Sequence, residues 1–134
     1  MHSARRRPVT GLATAALLLM LVSALLGTGT HAQSVSLLVQ SSPLAGFNYH
    51  AAPAVFSDLR VGDALVLWRE PDNPHDANAV GVLWRDSKLG YVPRSQNAAL
   101  AWAMDRGEPV LARVSRLQAH RNPRLRVEFE VFVR

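Results

Sequence analysis

Apolar and polar residues alternate with a period of two in several stretches of the chain, and that spacing predicts strands. Val35, Leu37 and Val39 alternate with Ser34, Ser36 and Gln40. Ala64–Glu70 and Ala79–Trp84 are apolar runs of strand length. Leu89–Val92 resumes after the polar Arg85-Asp86-Ser87, so 79–92 reads as a hairpin. Val110–Leu117 and Leu125–Val133 alternate again, joined by the turn-rich Ala119-His120-Arg121-Asn122-Pro123. In the last run Leu125, Val127, Phe129, Val131 and Val133 fall on one face.

Helices interrupt this pattern in two places. Ser95 is placed to cap a helix over Ala98–Met104, and Gly107 to stop it. A shorter helix is expected over Pro53–Leu59, before the turn at Gly62-Asp63. Pro71, Asp72, Asn73 and Pro74 forbid regular structure between the second and third strands. About six strands with one or two short helices predict a mostly β fold, a small barrel or curled sheet with a core of its own.

The N-terminus departs from that pattern. Arg5, Arg6 and Arg7 precede 16 residues without charge, Gly11 to Leu26, and Thr30-His31-Ala32 follows with small residues at both positions read before a cut. Basic, apolar, then small is the order of a secretory signal peptide. The arginines stay on the cytoplasmic side, and the run is shorter than the ~20 residues that span a bilayer. Residues 1–32 are therefore expected to direct export, with cleavage after Ala32 and a periplasmic or extracellular domain over 33–134. The alternative is an uncleaved inner-membrane anchor through residues 11–32, because no charge stands between Arg7 and Asp58. Membrane contact is expected only through such an uncleaved leader.

Removing the leader changes the charge balance. The whole chain has 15 Lys+Arg against 10 Asp+Glu, a net charge of +5. Residues 33–134 keep 12 of those cations and all 10 acids, which gives +2. Residues 33–108 sum to −2, and residues 109–134, with six arginines and two glutamates, to +4. A basic C-terminal third can attract phosphate or form a solvated strand face. The absence of cysteine excludes disulfides, a thiol nucleophile and thiolate metal sites. No P-loop or GxSxG motif is present, and His50, His75 and His120 fit no HxH or HExxH spacing. A catalytic role is not expected, nor is a cofactor. What remains on that side is a metal-assisted hydrolase using His75 and Asp76, which are weak metal candidates because neighbouring side chains rarely both turn inward.

The most informative stretch is 69–94, REPDNPHDANAVGVLWRDSKLGYVPR. Its Asn73-Pro74-His75-Asp76 corner is a rigid polar connection in which Asn and Asp side chains can accept from nearby backbone N–H groups. It serves either as a strand connection or as a mount that presents His75 and Asp76 to a ligand. Trp68, Trp84 and Trp102 read as core or interface residues rather than base platforms.

NPHDANAV, with LWREPD before it and KLGYVPR after it, resembles the HIRAN domain, and Gly46-Phe47-Asn48-Tyr49-His50 looks like that family's first ligand-contact segment. The resemblance covers roughly 35–134 and implies an OB-like β-barrel. It implies a non-catalytic module that captures the 3′-hydroxyl end of single-stranded DNA. By position, Tyr49 is similar to a tyrosine that stacks on a base, and His75 stands where a flat ring meets the DNA end. Asp76 matches an aspartate that accepts from the terminal hydroxyl. Tyr91 stands at a ring position, and Arg94 at that of a lysine near the phosphates. Asn48 departs from the pattern by replacing an arginine beside the stacking tyrosine. Family relatives include small bacterial proteins and domains joined to helicase motors. Export conflicts with a repair role, so the second expectation is an envelope module that keeps the fold but binds a protein or small ligand. A monomer is expected.

Overall fold

The computed structural model describes residues 35–134, together with Gly29. The leader, residues 1–32, lies almost entirely outside the described residues. Ser34–Arg134 forms a compact unit by itself. Among the described residues no helix is long and apolar enough to cross a membrane.

Six strands form one antiparallel sheet. They are β1 (Leu37–Pro43), β2 (Ala64–Arg69), β3 (Val80–Trp84), β4 (Ser87–Tyr91), β5 (Val110–Leu117) and β6 (Val127–Val133). Their hydrogen-bonded order is β1-β6-β5-β2-β3-β4. Two short helices, α1 (Ala52–Val55) and α2 (Ala98–Asp105), lie in the connections. The fold is thus mostly β, as the alternation predicts.

Burial follows the period of two. Val127, Phe129 and Val131 of β6, Ala112 and Val114 of β5, Leu65 of β2, Val80, Val82 and Trp84 of β3 and Leu89 of β4 all face one core. Leu44, Phe47, Ala52, Leu59, Leu100 and Ala101 close it from the connections. Bulges between Leu38 and Gln40, Val82 and Leu83, and Val114 and Arg116 sharpen the twist that curls the sheet.

The curled sheet is not closed by a continuous ladder. Its end strands meet at one bridge just past β1, where Ala45 and Tyr91 exchange two backbone hydrogen bonds of 2.9 Å each. Gly90 permits that approach, because a Cβ there would collide with the Ala45 carbonyl oxygen and sit 3.1 Å from the Leu44 side chain.

Two sequence expectations need correction. Ser95 does not cap α2; it lies in a 3-10 turn, Arg94–Gln96, and the residue at the helix start is Asn97, whose side chain makes no cap bond. Pro93 ends the extended chain, and a tight turn is inserted before the helix. Leu125 is exposed because Pro123–Leu125 is a 3-10 turn, so the last strand begins at Val127. The first strand forms as expected, at Leu37–Pro43, although Val35, Leu37 and Val39 are all exposed and the bulge after Leu38 breaks their register. Of the three tryptophans read as core or interface residues, Trp84 is buried in the core, and Trp68 and Trp102 are exposed. Gly107 does end α2, at φ 78° and with its N–H on the Met104 carbonyl.

Candidate functional site

The β2–β3 connection, Glu70 to Ala79, is ordered by its own polar groups. The Asn73 side-chain oxygen accepts from the His75 N–H at 2.9 Å. The Asp76 Oδ1 accepts from the Asn78 N–H at 2.9 Å, and the Asp76 carbonyl accepts from Ala79 at 3.1 Å. Pro71 and Pro74 limit the remaining freedom. This is the Asx-type corner expected of Asn-Pro-His-Asp.

One further bond ties the corner to the core. Asp76 Oδ2 accepts from the Asn97 amide at 2.7 Å, and Asn97 is buried at the head of α2. Burial alone would raise the Asp76 carboxyl. The Asn78 N–H, the Asn97 amide and the charges of Arg94 and Arg69 outweigh it, and Asp76 stays below its ordinary range. It is therefore an ionised acceptor at neutral pH. Each oxygen holds one internal bond, and a carboxylate has acceptor sites to spare.

Asp76 opens on a cavity of about 390 Å³. His75, Asn73, Tyr91 and Arg94 line it, and the Ala45–Tyr91 bridge brings His50 to its wall. The His50 and Tyr91 rings meet edge to face, 5.3 Å between centroids. Burial, and then the charge of Lys88, lowers the His50 pKa against the opposing pull of Glu70, which keeps its imidazole neutral. Tyr91 is held by its hydroxyl. Lys88 Nζ donates to Tyr91 Oη at 2.9 Å and to Glu70 Oε2 at 2.8 Å, and Tyr91 Oη donates to Glu70 Oε1 at 3.2 Å. Burial would lower the Lys88 pKa, but its bonds to Glu70 and Tyr91 raise it overall. The ring is thus a fixed platform.

The structure brings His75, Asp76, Tyr91 and Arg94 to one cavity. Asn48 and Tyr49 stand outside it, in the 3-10 turn Phe47–Tyr49, where Phe47 is the buried anchor and Tyr49 is 86% exposed. His50 and Asn73 are cavity residues that the sequence reading did not single out. Both adjoin residues that it did, but nothing local in the chain shows that they converge. Among the described residues no three histidine or acidic side chains gather as a metal site.

Six antiparallel strands curled around one core, with a cleft that carries Asp76 and Arg94 where the sheet ends meet, define a small OB-like module. The chain belongs to the HIRAN domain family, whose model matches residues 37–134. The crystal structure of a protein from Lactobacillus plantarum is similar at TM-score 0.65 and 30% identity, over 74% of this chain and 95% of that one. The crystal structure of the HIRAN domain of human HLTF is similar at TM-score 0.55 and 21% identity, over 76% and 81%. At that identity the likeness is one of fold. No curated protein matches the chain.

Proposed function

We propose that the chain is a non-catalytic nucleic-acid-binding module that takes the 3′-hydroxyl end of single-stranded DNA in the cleft of His75, Asp76, Tyr91 and Arg94. The observation that carries this reading is the convergence of those four side chains on one cavity, with Asp76 ionised and pre-ordered beside the Arg94 cation. A terminal hydroxyl can donate to Asp76, whereas a terminal phosphate would meet a like charge. His75 and Tyr91 offer flat rings to the last sugar and base, and Arg94 faces the adjoining phosphate. Tyr49, exposed on the neighbouring turn, is available to stack on a further base, a contact that contributes about 1–3 kcal/mol.

The test is fluorescence anisotropy with residues 34–134 and labelled strands ending in 3′-hydroxyl or 3′-phosphate. The hydroxyl end should bind more tightly, and D76A should erase the preference. R94A should weaken both strands and flatten the salt dependence. Equal binding of the two ends by the parent domain would overturn the end-capture reading.

A second reading is an exported envelope module with a protein partner. It is favoured by the outer sheet face, where Leu38, Leu111, Val66 and Trp68 stand exposed, with Leu38 and Leu111 both paired to Phe132. Exposed apolar patches of this kind mark interaction surfaces. Recovery of the full-length protein from the periplasm or medium, cut after Ala32, would support export. Retention in the cytoplasm would remove that reading.

A further inference from the structure

The cleft at Asp76 has a neighbour. Ala45 and Arg94 line it, and the same two residues line a second hollow of about 450 Å³, bounded farther on by Pro43, Gln96 and Arg124. Arg94 thus borders both hollows, and Arg124 borders the second alone.

Charge and position together single out these two arginines. The net +4 of residues 109–134 is not spread evenly over the folded surface. Arg113 is paired with Glu130 at 3.1 Å and Arg116 with Glu128 at 2.7 Å, which neutralises β5 against β6. Three of the remaining four arginines lie in the β5–β6 connection. There Arg126 is spent on the carbonyl oxygens of His120 and Arg121, at 2.7 and 3.5 Å. Arg124 is held differently. Its backbone N–H donates to the Asn122 side chain at 3.0 Å, which fixes the turn. Among the described residues its guanidinium has no carboxylate within bonding distance and makes no hydrogen bond, and the same holds for Arg94. Elsewhere on the domain, Arg69, Arg106 and Lys88 are neutralised by acids and Arg60 donates to the Ser57 and Leu59 carbonyls. Among the described residues Arg85, Arg121 and Arg134 are unpaired as well, but none of them lines either hollow.

Resting on the end-capture reading above, we infer that the hollow at Arg124 seats the phosphates next in line. A strand whose 3′ end lies at Asp76 crosses Arg94 and enters the second hollow, where Arg124 meets a backbone phosphate. A guanidinium fork fits a phosphate in two-point fashion, and an unpaired exposed arginine has no internal partner to give up. The hollow's other lining includes Pro43, Leu44, Pro93 and Ser95, with no carboxylate to repel an anion. The contact reads backbone, so it is indifferent to base sequence.

The test is a length series of labelled oligothymidylates with free 3′-hydroxyls, bound to residues 34–134 at several salt concentrations. Affinity should rise from the dinucleotide to the hexanucleotide and then level off. R124A should abolish that rise, about threefold to tenfold at low salt, and lower the hexanucleotide salt slope by about 0.7, the value for one phosphate on a single strand. R124K should keep most of the rise. A parent domain with no gain beyond the dinucleotide, or an R124A variant that keeps the gain, overturns the inference and leaves end capture standing. Failure of every length to bind overturns both.

Discussion

Two connections of this domain are built with the same local device and put it to different use. Glu70–Ala79 contains Asn73-Pro74, and the β5–β6 connection contains Asn122-Pro123. In each, the asparagine side chain accepts from the backbone N–H two residues on, at 2.9 Å on His75 and 3.0 Å on Arg124. Beyond that bond they diverge. The first is stapled to the core, because Asp76 reaches the buried Asn97. The second makes its side-chain hydrogen bonds only within itself, and leans on the core through the Arg126 guanidinium, 5.0 Å over the Phe47 ring. The Asn122 N–H donates to His120 Nδ1 at 2.9 Å, and Arg126 binds the His120 carbonyl. One corner presents an anion at a fixed place, and the other presents cations with room to adjust. An Asn-Pro pair therefore sets the shape of a loop, while its function depends on what the following side chains touch.

Asn97→Ala should separate the two corners most. It takes the amide from Asp76 Oδ2 and leaves a half-buried carboxylate short of a donor, which costs about 1–3 kcal/mol. For a domain of this size each kcal/mol lowers the melting temperature by about 4–8 °C. A thermal melt should show that loss, and an unchanged melt would mean that the staple carries no weight.

Acid sensitivity should come next. The Asp76 pKa is lowered in the folded state relative to its ordinary value of 3.8. Between the two values the unfolded chain binds more protons, so stability rises with pH there. The contribution is complete above the unfolded value and is lost as pH falls through the folded one. Denaturant titrations across that acid range should show a flatter pH profile for Asp76→Asn than for the parent.

The smallest effect should come from Asn122→Ala. That corner is exposed and bonded only to itself, so its loss should cost no more than about 1 kcal/mol. A cost as large as that of Asn97→Ala would erase the contrast between the corners.

The reach of sequence reading follows the range of the forces involved. Strands β2 to β6 were legible because their signals are local: alternation in β5 and β6, which bury one face, and short apolar runs bounded by polar turns in β2 and β3, the latter buried on both faces. The first strand was legible too, but the exposure of Leu37, Leu38 and Val39 was not, since they lie on an edge strand beside a bulge, where apolar residues need not be covered. Ser95 resembles a cap by its neighbours alone, whereas Pro93 and the turn after it displace the helix start to Asn97. The Asn73–Asp76 corner was legible from its turn residues. The convergence of His50 with Tyr91 was not, because it is made by the Ala45–Tyr91 pairing across 46 residues of chain. The Asp76–Asn97 staple spans 21 residues and was hidden for the same reason.

That Ala45–Tyr91 pairing gives the domain a seam. Everywhere else the sheet is joined by ladders, but here its two ends are joined by a pair of hydrogen bonds. Ala45 and His50 stand on one bank, Tyr91 and Arg94 on the other. The aperture of the cleft is therefore set at the weakest join in the sheet. Beside it only the Ala51 N–H on the Lys88 carbonyl, at 2.9 Å, ties the His50 bank to β4, so the part of the molecule that grips is joined by far fewer bonds than the part that supports it.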